Sequence, residues 1–138
     1  MKTKILIGIL LVFLIMGAAA TVSAKDLKAP RGYEEEAEGY WYFIANEDQH
    51  LYVGFMDVNH DIFNNSTGYT VCPVGENFYA FNDTEYDQYG IQEMVVVDGE
   101  EYLVSIHQKT PLTDTQMSVF KDDLTSFNML NDVKPVAV

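Results

Sequence analysis

The chain has 138 residues and a formal net charge of −13, from 21 acidic and 8 basic side chains. A field of that sign repels phosphate backbones and anionic headgroups, which excludes nucleic-acid binding and polybasic attachment to membranes. Apolar residues make up 48% of the chain and aromatics 13%, a composition that folds, and the single cysteine, Cys72, rules out an intrachain disulfide.

The first 24 residues read as an export signal. Lys2 and Lys4 make a positive start, Ile5 to Met16 is apolar, and small residues follow from Gly17 to Ala24. Val22 and Ala24 occupy the −3 and −1 positions of a signal-peptidase site, so the exported chain begins at Lys25. The alternative is an uncleaved anchor, because Ile5 to Val22 is almost long enough to span a bilayer. Loss of the two leader lysines takes the charge from −13 to −15. Both readings place the protein outside the cell, secreted or at the cell surface. With no disulfide available there, stability must come from packing.

Residues 25–39 read as an acidic linker. They hold Pro30, Gly32 and the run Glu34-Glu35-Glu36-Ala37-Glu38, and like charges at that density favour an extended, solvated segment. Residues 40–138 read as one α+β domain. Tyr40 to Ala45 is a strand by its aromatic content. Asn46 to Gln49 is a polar turn, and His50 to Met56 returns with Leu51, Val53 and Phe55 on one face. Asp57 to Thr67 is an Asn-rich loop with room for a short helical turn. Gly68 to Pro73 and Asn77 to Phe81 form a second hairpin, and Asn82 to Gly90 is an acidic loop.

The clearest hairpin is Ile91 to Val97 with Glu101 to His107. Asp98-Gly99 joins them, and a type I′ turn needs positive φ at both central residues. After Lys109-Thr110-Pro111 the period changes. Met117, Phe120, Leu124, Phe127 and Leu130 step by three and four, one stripe of an α-helix. Thr113 with Gln116 is a capping-box pattern, and Asn131-Asp132 ends the helix. Val133 to Val138 is a last strand, which Pro135 confines to an edge or a strand start. The stripe can be buried only against the sheet. The fold class is therefore α+β: an antiparallel, meandering sheet of about six strands with one C-terminal helix on it and a short terminal strand. A small barrel or sandwich with a peripheral helix is the alternative.

Chemistry-bearing motifs are sparse. The three histidines, His50, His60 and His107, lie in no zinc-protease spacing, and there is no CxxC, phosphate-binding glycine loop or GxSxG elbow. His50 and His107 read as surface residues at strand ends. Cys72, in the apolar run Tyr69 to Pro73, reads as a small buried hydrophobe. Asp57, Asn59 and Asp61 carry the spacing of the first three oxygen ligands of a calcium loop. The glycine and the bidentate glutamate of that motif are replaced by Ile62 and Gly68. The match is half a motif, and an Asx-rich loop that satisfies its own backbone accounts better for the same residues. Asn64, Asn65 and Asn82 head N-x-S/T sequons. Tyr40, Trp41, Tyr42 and Tyr52 are the aromatics that an exposed sheet face would offer to a partner.

With no cofactor motif and no nucleophile in context, the chain reads as a non-catalytic, acidic module that binds a protein or a glycan at the cell surface. The alternative is a small exported hydrolase assisted by a divalent cation, calcium or a similar ion, at Asp57, Asn59 and Asp61.

Overall fold

Among the described residues, alternating apolar residues pair into one eight-stranded antiparallel sheet on which a single helix is packed. The structure is a computed structural model, and it describes residues 27–56 and 59–138. The leader expected at 1–24 lies outside these residues. The strands are β1 (Tyr33–Ala37), β2 (Tyr40–Phe43), β3 (Asn46–Phe55), β4 (Tyr69–Gly75), β5 (Phe78–Asp83), β6 (Gln88–Val97), β7 (Glu100–Gln108) and β8 (Pro135–Val136), with helix α1 (Asp114–Asn131) between β7 and β8. Their order across the sheet is β1-β2-β3-β7-β6-β5-β4, and β8 joins β6 beyond the end of β5. Two meanders, β1 to β3 and β4 to β7, thus meet at a central β3–β7 seam, in register from His50↔His107 to Phe55↔Tyr102.

The β6–β7 hairpin turns as its sequence requires, with Asp98 at φ 52° and Gly99 at φ 82°. Thr113 caps α1. Its side chain accepts from the Gln116 N–H at 3.1 Å, and the Gln116 side chain accepts from the Thr113 N–H at 3.0 Å. Helix α1 lays Phe120, Leu124 and Phe127 on Leu51, Val53, Ile91, Val95, Val104 and Ile106. Burial of each such side chain contributes about 2 kcal/mol. The opposite face holds Tyr40, Tyr52, Met94 and Leu103. Met56 and Ile62 pack on it, and the segment from residue 59 onward crosses it to the far edge, where β4 begins.

Several expectations need correction. The acidic linker supplies a strand: β1 pairs with β2 through Glu34↔Tyr42 and Glu35↔Trp41. An edge strand pairs on one side only, so Glu34 and Glu35 stay solvated. Tyr33 meanwhile packs against the core and donates its hydroxyl to Asp123 at 2.9 Å. The turn between β2 and β3 falls at Ile44-Ala45, and Asn46 to Gln49 belong to β3. Gln49 is drawn in because its amide donates to the Tyr33 hydroxyl at 2.6 Å and to Asp123 at 3.2 Å. The acidic loop after β5 shrinks to residues 84–87, closed by Asp83 Oδ1, which accepts from the N–H groups of Glu85 and Tyr86. Cys72 is exposed, because β4 is an edge strand. On α1, Leu130 is 52% exposed and Asn128 is buried in its stead.

Candidate functional site

The crossing segment builds an open cleft of about 350 Å³, lined by Asn59, His60, Phe63, Asn64, Tyr79 and Val138. Asp61–Phe63 forms a short 3-10 turn, entered by His60 in a left-handed conformation at φ 54°. Buried polar contacts fix this turn to the sheet. The Ile62 carbonyl accepts from the Tyr69 hydroxyl at 2.6 Å and from the fully buried Gln92 amide at 2.9 Å. Gln92 also donates to the Tyr69 oxygen at 3.1 Å. Burial holds the Tyr69 hydroxyl protonated, well above its ordinary value, so it remains a donor.

With the turn anchored, Phe63 meets Tyr79 edge to face, ring centroids 5.1 Å apart at 71°. His60 Nε2 lies 2.9 Å from Glu101 Oε1, and the Asn64 amide donates to the His60 carbonyl at 3.4 Å. One wall is therefore aromatic, and the rest offers imidazole and carboxamide groups. Such a mixture takes an apolar ring face and fixes hydroxyls by hydrogen bonds.

A second polar cluster lies inside the same half of the fold. Tyr40 and His50 stack with centroids 4.9 Å apart, and His107 lies 5.9 Å from His50. Ser105 Oγ is 3.1 Å from His107 Nδ1, and Glu36 Oε1 is 3.7 Å from His50 Nε2. The pairing resembles a nucleophile with its base, but Ser105 is 0% and His107 1% exposed, so no substrate reaches them. Burial, with a smaller contribution from His50, pushes His107 well below its ordinary value and keeps it neutral. The two strand-end histidines are thus interior, not on the surface as expected.

The proposed cation ligands are not shown together: Asp57 lies outside the described residues, and Asn59 and Asp61 are exposed. Among the described residues no group of three His, Cys, Asp or Glu is arranged to hold a metal ion. The sequon residues Asn64, Asn65 and Asn82 are all exposed. Asn65 Oδ1 accepts from the Val71 N–H at 2.7 Å, and Asn82 sits on strand β5 and not in a loop. Of the four aromatics, Tyr40, Trp41 and Tyr52 are buried and Tyr42 is half-buried, so they fill the interior and form no open platform. Burial pushes Tyr52 up to about 12. Phe63 and Tyr79 escaped the sequence reading. The one available signal was an aromatic residue inside a polar, Asn-rich loop.

The fold and cleft define a small α+β sheet domain with a helix on one face and an open pocket on the other. No protein-family model matches the chain, and searches of curated proteins and of solved structures return no match. Among the described residues no helix is long and apolar enough to cross a membrane.

Proposed function

We propose that the protein is a secreted or cell-surface binding module whose cleft receives a neutral carbohydrate unit. The observation that carries this reading is the Phe63–Tyr79 wall facing His60, Asn59 and Asn64 in one open concavity. The aromatic edge and face suit the apolar side of a sugar ring, and the carboxamides and imidazole suit its hydroxyls. The charge of −13 disfavours acidic sugars and phosphorylated ligands. The interior location of Ser105 and His107 favours binding over hydrolysis.

Titration with neutral oligosaccharides, followed by ligand-observed NMR, tests the reading. Tyr79→Ala should weaken binding about tenfold, because lost stacking and buried area contribute about 1–2 kcal/mol. An unchanged affinity in Tyr79→Ala and Phe63→Ala would refute it, as would no binding at millimolar saccharide. Release of reducing ends when Ca²⁺ is added would identify the cation-assisted hydrolase in its place.

A further inference from the structure

An acidic side chain lies under the helix where apolar residues surround it. Glu93, on β6, is 0% exposed, and Asn128, on the last full turn of α1, is 7% exposed. The Asn128 Nδ2 donates to Glu93 Oε1 at 2.8 Å. The remaining oxygen of each group, Glu93 Oε2 and Asn128 Oδ1, is buried with no hydrogen-bond partner among the described residues. While the carboxyl is ionised both of these atoms are acceptors, and neither can satisfy the other. A single proton changes that: Oε2–H becomes a donor, and the Asn128 amide oxygen is an acceptor that lacks one. Leaving either oxygen unpaired in the interior is costly, so the protein has reason to keep that proton.

We propose that Glu93 is held as the neutral acid in a two-bond acid–amide pair with Asn128, and that this pair is a pH-sensitive latch fastening the C-terminal turn of α1 to the sheet. The surroundings agree. The cation of α1 is Lys121, whose ammonium is engaged by the Val74 carbonyl at 2.9 Å, and the lysines of the two segments that meet the end of α1, Lys28 beside Asn131 and Lys134 before β8, are both exposed. Strand β7 brings Tyr102 and Val104 to this face, β5 brings Phe78 and Ala80, and β8 brings Pro135, while Val136 packs on the opposite face. None of these elements offers a cation paired with Glu93. Burial raises the Glu93 carboxyl from 4.5 to about 8, against the opposing effect of the Asn128 hydrogen bond.

The latch sits where three segments converge. The Asn128 carbonyl accepts from the Val133 N–H at 3.0 Å, and the chain then enters β8, which pairs with Met94 and Val95 beside Glu93. Beyond β8, Val138 lines the cleft. Opening the pair therefore loosens the end of α1 and the strand that reaches the cleft, whatever the cleft binds. In the closed form Glu93 releases its proton near pH 8, and in the opened, hydrated form near its ordinary 4.5. Between those values only the closed form keeps the proton. Rising pH therefore favours opening, by up to about tenfold per unit, and the dependence levels off above about pH 8.

Amide hydrogen exchange of residues 127–133, corrected for intrinsic rates, tests the latch on the full chain. In the wild type, protection should fall several-fold per unit between about pH 5.5 and about pH 7.5. In Glu93→Gln, whose permanent amide N–H replaces the acid O–H, it should stay flat. A flat wild-type profile, or the wild-type slope retained in the variant, would overturn the proposal. Infrared titration of the wild type needs no variant. It should show a protonated carboxylic acid carbonyl band at neutral pH that disappears near pH 9, and its absence at neutral pH would equally overturn the proposal.

Discussion

Strand β6 approaches β7 more closely at Gly90 than any side chain permits. Gly90 lies opposite His107, and a Cβ placed on it would sit 2.0 Å from the Ile106 carbonyl oxygen and 2.7 Å from the His107 Cα. Ordinary carbon–oxygen contacts begin near about 3.3 Å. Both obstacles are backbone, so no rotamer change relieves them, and Gly90→Ala must push the strands apart by more than about 1 Å. Overpacking of this kind costs about 1–3 kcal/mol, and two disturbed ladder hydrogen bonds cost about 1 kcal/mol each. The stiffer unfolded chain returns about 0.5 kcal/mol. The net loss should be about 3 kcal/mol, a large share of the stability of a domain this size. Urea unfolding followed by the fluorescence of Trp41, the only tryptophan and 7% exposed, measures it directly. A loss below about 1 kcal/mol would show that the close approach at Gly90 is not what the fold requires.

Two further outcomes are expected. Folded His107 stays neutral, whereas the unfolded chain takes up a proton below 6.5. The unfolded state then binds more protons, so stability falls with acid, while Glu93 contributes the opposite slope between 4.5 and about 8. In Glu93→Gln the histidine contribution is no longer masked, and the unfolding free energy from urea melts should fall by about 1 kcal/mol per pH unit below 6.5 and stay level from there to pH 8. A level free energy below pH 6.5 would contradict the buried neutral imidazole. Cys72 is exposed, so Cys72→Ser should change stability by less than about 0.5 kcal/mol. The native thiol should react fully with Ellman's reagent, and a requirement for denaturant would contradict its position on β4.

Local chemistry made part of this fold legible. Asp98-Gly99 dictates its turn whatever surrounds it, and Thr113 with Gln116 starts the helix by bonds within one turn. Elements set by distant partners were not legible. The acidic run of β1 is a strand because Tyr33 is anchored by Asp123 and Gln49, ninety and sixteen residues away. His50 and His107 face each other only because β3 and β7 form the seam, which no neighbouring pair of residues announces. The helical stripe was readable through Phe127. Beyond it the buried position passes to Asn128, because Glu93 waits beneath. The cleft was the least legible feature. It joins residues 59–64 to Tyr79 and Val138, and only the path of the crossing segment brings them together.

The two rims of the sheet end differently, and both ends discourage growth. On β1 the outermost backbone is flanked by Glu34 and Glu35, both exposed, so a second molecule approaching that rim meets its own carboxylates. On β4 Pro73 lacks an N–H and breaks the row of donors that an incoming strand would need. A sheet so rich in tyrosine and valine would otherwise be a template for fibrils. These few residues blunt both borders against pairing with a second copy.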